Sequence, residues 1–382
     1  MPLPTPPSAP FSRSVAEPDL DRAAFRSAIG AADAERLART DRLAALAQAK
    51  RAIVYSYGVR GQDLARQLRA AGVDCLIYDN APSAVARAVA DGFETTSDLT
   101  SPAPLIVAAG QNQVEILDSL DRDAFSLAEA LYAFDIVNQY GRARAFTEVV
   151  LAEADALFGQ YLTIEPGYRA AFLDVLLYRA SLDVRHTDGS RRPIGEMWSP
   201  PPAVSDLRSF CDVGAYDGDT LVAMKTACPT LQRSFTVEPN PALAETIAAT
   251  ASAIGLDNTN FTGGAWRRRA RLSVHHLANG MMAIQEDPRG EIQADTLDNL
   301  TLGETYDYVK LDIEGAESAA LDGAAFLLRR AKCVAVASYH LPKDLIDLPR
   351  QMAALSINDR PWRCAFQHYS QSFDDSIYYF YQ

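Results

Sequence analysis

Apolar residues along this chain change their spacing repeatedly, and each change marks a predicted boundary. Residues 1–18 carry no periodic pattern and read as a disordered tail. Residues 19–50 are alanine-rich, with Leu37, Leu43 and Leu46 at helical spacing, which predicts one or two helices broken near Gly30. Over 51–135 short apolar runs alternate with amphipathic ones. Stretches 53–57, 73–78 and 105–109 read as strands, and 62–71 and 82–91 as helices. Residues 136–204 are mostly helical, including 168–180, and end in the proline linker at 199–202. From 205 to 382 buried strands return, at 207–211, 235–238, 258–262, 306–313 and 333–338, separated by helical spacing at 221–225 and 321–328. Two α/β units in tandem, joined by a helical connector, is the architecture this predicts.

The second unit carries the chemistry. Its first strand runs into Asp212-Val-Gly-Ala-Tyr-Asp-Gly-Asp-Thr220 and then a helix. Gly214 and Gly218 allow a sharp turn and close approach of the backbone to a ligand, and the helix start offers free N–H groups, with Asp219 or Thr220 placed to cap it. Asp217 and Asp219 would repel a pyrophosphate, but they suit a nucleoside cofactor with a cationic tail such as S-adenosylmethionine. Glu238, followed by Pro239 and Asn240, ends the second strand where a ribose diol is gripped. Further on, Lys310, Asp312 and Glu314 share one parity of an apolar run. Three charges at the end of a buried strand are costly unless they serve a site.

Taken together, DVGAYDGDT, the VEPNP turn, Thr296–Leu300 and YVKLDIEGAE resemble the FkbM family of methyltransferases. The likeness continues through Ser338-Tyr-His340, Pro342-Lys-Asp344 and His368-Tyr-Ser370, so it spans about 205 to 382. It implies a class I methyltransferase (Rossmann-like) fold for the C-terminal domain, S-adenosylmethionine as methyl donor, and a hydroxyl on a sugar, glycan or related small molecule as acceptor. The usual third glycine of the loop is Tyr216, which the resemblance treats as a subfamily trait. The expected cofactor-binding set is Asp212, Gly214, Ala215, Tyr216, Asp217, Gly218, Asp219, Thr220, Glu238, Pro239, Asn240, Gly264, Ala265 and Trp266, the last three following the third strand, where such folds meet adenine. The expected catalytic set is Lys310, Asp312, Glu314, His340 and His368, with the histidines and carboxylates as candidate bases. Asp312, Glu314 and His340 could also converge on a divalent metal such as Mg²⁺, unless Lys310 neutralises the carboxylates.

Composition narrows the partners. At 382 residues two domains are expected, and a net charge of -13 disfavours nucleic acid. The five cysteines show no metal-ligand spacing and fit a reducing compartment. The proline-rich start lacks a signal-peptide core, and no run is long enough to span a membrane, so the expectation is cytoplasmic.

The first α/β unit admits another reading. Ser56-Tyr-Gly-Val-Arg-Gly61 outlines a GxGxxG turn with serine at its first position, and Asp79 ends the next strand. Functionally it would bind NAD or a nucleotide sugar, with Arg60 on a phosphate, as in a reductase or sugar-modifying protein. Structurally it would be a scaffold for docking or homo-oligomerisation. Arg267-Arg-Arg269 reads as a solvated face, and Asn279-Gly280 as a hairpin turn beside the site. A non-catalytic assembly protein on this fold is disfavoured by the intact acid and glycine set.

Overall fold

The computed structural model of the protein describes residues 19–135, 137–138, 141–276, 282–356 and 361–382. The predicted tail and the Asn279-Gly280 turn lie outside them.

The first sheet contains β1 (Arg51–Tyr55), β2 (Asp74–Tyr78), β3 (Glu94–Thr95), β4 (Leu105–Val107) and β5 (Phe125–Ser126), ordered β3-β2-β1-β4-β5 and parallel throughout. β4 is buried at every position, as a central parallel strand covered on both faces must be. The chain reverses direction of travel across the sheet between β1 and β4, leaving a crevice at the strand ends.

The second sheet repeats that logic and extends it. It comprises β6 (Ser209–Val213), β7 (Arg233–Glu238), β8 (Asp257–Thr262), β13 (Tyr308–Leu311), β14 (Cys333–Ala337), β15 (Arg363–His368) and β16 (Ser376–Tyr381), and its order is β8-β7-β6-β13-β14-β16-β15. β16 runs antiparallel to both of its neighbours, and the first five strands are parallel. A small sheet of β9 (Gly264–Ala265), β10 (Ala270–His276), β11 (Met282–Glu286) and β12 (Ile292–Asp295) stands beside it. β10 and β11 pair antiparallel.

Helices of the connector cover one face of the large sheet. Phe172 meets Phe366 edge-on at 5.2 Å, and Phe25 of the helix Arg22–Leu37 packs on Phe158 and Tyr161 in the same core. That helix runs straight through Gly30, and the break falls at Ala38 and Arg39 instead. Burial of Phe25, Ile29 and Ala32 on one face offsets the roughly 1 kcal/mol a mid-helix glycine costs. The strand expected over 306–313 stops at Leu311, because Glu314 and Gly315 turn into left-handed backbone at φ 57° and 93°. The helix expected over 321–328 is two, Glu317–Asp322 and Ala325–Leu328. At Gly323 between them, a Cβ would lie 2.2 Å from the Trp266 carbonyl. No helix among the described residues is long and apolar enough to cross a membrane.

Candidate active site

A cleft of about 460 Å³ opens at the C-terminal ends of β6, β7 and β13, where the strand order reverses between β6 and β13. This is the crevice where open α/β sheets take their ligands. Gly214, Tyr216, Asp219 and Thr220 line one wall; Val237, Glu238 and Pro239 line the next. Gly264 and Ala265 close one side, with Leu272, Ile284 and Ile292 from the small sheet. Lys310, Asp312, Glu314 and Tyr339 form the far side.

Gly214 is obligatory on two counts. Its φ is 86°, and a Cβ there would stand 1.9 Å from the Asp312 carbonyl. Gly218 is the N-cap of the helix Asp219–Ala227, itself left-handed at φ 87°, so neither Asp219 nor Thr220 caps that helix. Asp217 Oδ1 instead accepts from Asp219 N at 3.1 Å, and Asp219 Oδ1 from Thr220 N at 2.7 Å. Asp217 therefore serves the turn, while Asp219 is the carboxylate on the cleft wall.

Glu238 is fixed before any ligand arrives. Tyr216 N donates to Oε2 at 2.9 Å and Asn240 N to Oε1 at 2.8 Å. Asn240 contributes that amide, and its own side chain caps Ala242 N. The first unit repeats the device: Asp79 accepts from Tyr57 N at 2.6 Å and from Ala81 N at 2.8 Å.

Asp212 lies beneath the cleft and holds Lys310. Lys310 Nζ donates to Asp212 Oδ1 at 2.9 Å and to the Gly214 carbonyl at 2.7 Å, and it sits 5.1 Å from the Trp198 ring centre. Burial pushes the Asp212 carboxyl up to about 6 against the pull of Lys310. Burial alone would lower Lys310, but Asp212 and Asp312 outweigh it and hold its pKa above the usual lysine value. With the ammonium on two acceptors and Asp212 Oδ2 without a donor among the described residues, we take both as charged at pH 7, with the carboxylate as the strained partner. Ala215 is buried in the core behind the loop.

On the far side of the cleft, Tyr339 Oη donates to Asp312 Oδ1 at 3.0 Å. His340 is buried beside it, with Nδ1 2.8 Å from Glu317 Oε1 and Nε2 3.6 Å from Asp312 and 3.7 Å from Glu314. Burial would lower the imidazole, yet Glu317, Asp312 and Glu314 together raise it to about 10. With its proton held that firmly, this imidazole is a poor base at pH 7. Burial also raises the Glu314 carboxyl.

Two expected residues stand elsewhere. His368 is buried at the end of β15 with Nδ1 3.0 Å from Ser376 Oγ, and burial, then Arg179 and Arg191, lower it to about 3. It is a neutral core histidine, outside the cleft lining. Trp266 packs against Leu272 and Ala319, and its Nε1 donates to Glu286 at 2.8 Å, so it too stays off the cleft wall. Conversely, Trp198 lines the cleft, although its proline-rich neighbourhood reads only as a linker. Its amide donates to Tyr379 Oη at 3.2 Å and its carbonyl accepts from Tyr308 Oη at 2.7 Å. Glu317 and Tyr339 lie inside the quoted motifs, but nothing in their spacing assigns them a partner.

The loop between β15 and β16 docks on the first unit, on residues that follow β1 and β4. Gln371 N donates to the Gly110 carbonyl at 2.9 Å. Its side-chain oxygen accepts from Val114 N at 2.9 Å, and its carbonyl from Gln113 Nε2 at 2.7 Å. Arg60 is ion-paired with Asp374. Arg60, the residue expected to meet a nucleotide phosphate, therefore helps hold the loop between β15 and β16.

Five parallel strands, a hairpin pair whose last strand is antiparallel, and a cleft at the switch point closed by a strand-end acid define the class I methyltransferase fold. Residues 212–355, within the C-terminal domain, match the Methyltransferase FkbM domain. Among solved structures, the methyltransferase FkbM from Methylobacillus flagellatus KT aligns with a TM-score of 0.66 at 15% identity, covering 94% of this chain and 100% of that one. A precorrin-6y C5,15-methyltransferase from Geobacter metallireducens GS-15 aligns at 0.28, with 13% identity over 47% of this chain and 83% of that one. Aeropyrum pernix fibrillarin with S-adenosyl-L-methionine aligns at 0.30, with 14% identity over 47% and 68%. No curated protein matches the chain.

Proposed function

We propose that the protein is an S-adenosylmethionine-dependent O-methyltransferase whose acceptor is a hydroxyl of a sugar, glycan or related small molecule. The observation that carries the donor assignment is Glu238, its carboxylate clamped by two backbone amides and lining a nucleoside-sized cleft. The glycine-built wall at Gly214, the Asp219 carboxylate for a cationic tail, and the apolar side at Ala265 and Ile292 fit the same ligand. When bound, S-adenosylmethionine supplies a sulfonium methyl that an acceptor oxygen displaces in line, breaking the S–CH₃ bond and releasing S-adenosylhomocysteine.

The chain's own part is positioning and proton removal. Asp312 and Glu314 are the carboxylates on the acceptor side, and Glu314, raised by burial, is the better suited to take the hydroxyl proton. His340 anchors both. The described cysteines are all free thiols, which fits a cytoplasmic enzyme.

The test is calorimetric titration of the full chain with S-adenosylhomocysteine, with NAD(H) in parallel. Micromolar binding that Glu238→Ala abolishes supports the reading. Binding of NAD(H) alone, dependent on Gly58 and Asp79, would overturn it.

A further inference from the structure

Trp198 is held in the cleft wall against its own backbone preference. Its φ is 70°, in the left-handed region where a bulky residue is an outlier. Two tyrosine hydroxyls keep it there. The Trp198 amide donates to Tyr379 Oη at 3.2 Å, and its carbonyl accepts from Tyr308 Oη at 2.7 Å. Both tyrosines are fully buried in the large sheet, so the sheet fixes the peptide. Strain of this kind persists only where the surroundings over-determine it, and it collects at ligand sites.

The outcome is an indole on the cleft lining with 4% of the residue exposed. The other two aromatic residues of the lining are placed differently. Tyr339 gives its hydroxyl to Asp312 and packs its ring 4.2 Å from that of His340, while Tyr216 is 64% exposed. Lys310 does not account for the indole, because its ammonium already has the Asp212 carboxylate and the Gly214 carbonyl as acceptors. It does locate the ring. One ammonium lies 2.7 Å from the Gly214 oxygen and 5.1 Å from the indole centre, so the ring stands beside the glycine loop. The charges on the lining are Asp219, Glu238, Asp312 and Glu314 against Lys310, which is itself paired. Such a cleft favours a cationic ligand, and a desolvated indole face attracts a cation more strongly than any other side-chain ring.

We infer that Trp198 is a specificity residue for the charge of the donor, its indole meeting the sulfonium of S-adenosylmethionine and discriminating against the neutral thioether of S-adenosylhomocysteine. The inference deepens the methyl-donor reading and rests on it. It gives the helical connector, which precedes the matched domain, a direct part in donor recognition. It also favours product release, since the sulfur loses its charge when the methyl group leaves.

The experiment is calorimetric titration of the full chain with S-adenosylmethionine and, separately, with S-adenosylhomocysteine, in the absence of acceptor. In Trp198→Leu the affinity for S-adenosylmethionine should fall about 2- to 30-fold further than that for S-adenosylhomocysteine, the range a cation–aromatic contact supplies. Trp198→Phe, with a weaker aromatic face, should show an intermediate ratio of the two affinities, and it serves where the leucine variant fails to fold. An equal fall for both ligands in Trp198→Leu, or a wild-type ratio in Trp198→Phe, places the ring against what the ligands share and overturns the inference. Absence of binding of either ligand to the wild-type chain overturns the methyl-donor reading itself.

Discussion

Replacing Lys310 with methionine isolates what the buried pair contributes. Lys310 and Asp212 are 2% and 0% exposed and 2.9 Å apart. Removing one partner of such a pair costs about 3–5 kcal/mol, because the other charge is left buried. The pH dependence follows from Asp212, whose carboxyl stands at about 6 in the folded chain against an ordinary 3.8. A raised acid favours folding below the unfolded value, and that contribution is lost as pH rises through the folded value. Here the loss runs from about pH 4 to about pH 6 and amounts to about 3 kcal/mol. Without the ammonium the carboxyl rises further, so the loss continues above pH 6. The deficit of Lys310→Met should therefore be largest at pH 8 and smaller at pH 5. Urea unfolding followed by tryptophan fluorescence at both values measures it, and Lys310→Met with Asp212→Asn should recover much of the loss at pH 8. A variant within 1 kcal/mol of wild type at pH 8, or a deficit equal at both pH values, would refute the reasoning.

Gly214→Ala should abolish S-adenosylhomocysteine binding by calorimetry, since its Cβ meets the Asp312 carbonyl at 1.9 Å and the backbone is left-handed. His368, held at about 3 against an ordinary 6.5, is protonated in the unfolded chain before the folded one. Stability should fall as pH drops from about 6.5 towards 3, by on the order of 4 kcal/mol, and His368→Gln should flatten that slope in Tm measured from pH 4 to 7. Trp198→Ala removes an aromatic ring from the cleft wall and from above Lys310, and should weaken S-adenosylhomocysteine binding about 10-fold. Gln371→Ala removes a side chain that bridges the two sheets and should lower Tm by several degrees, read by differential scanning calorimetry.

Sequence reading succeeds here where local chemistry decides. Gly214 and Gly218 are glycines for backbone reasons, and Glu238 ends a strand whose alternation is unambiguous. It fails where packing at a distance decides. His368 and His340 both follow apolar strands near aromatic residues, yet one lies in the core and the other among carboxylates. That difference depends on what β14, β15 and the turn after β13 pack against. Trp266 follows two glycines beside the expected adenine site, but the small sheet draws its indole towards Glu286. Trp198 shows the converse, a cleft residue hidden by prolines.

The docking of the loop between β15 and β16 on the first unit changes what a deletion would do. Gln371, Phe373 and Asp374 are held by Gly110, Gln113, the Phe146–Tyr178 aromatic pocket and Arg60, and the loop they belong to leads directly into β16. β16 is the strand clasped between β14 and β15, and β14 leads to His340. The amino-terminal half is thus a jig for the carboxy-terminal one. An excised fragment beginning near residue 205 would keep Gly214, Asp219 and Glu238 yet lose Trp198 from the cleft wall and the grip on the loop that joins its last two strands.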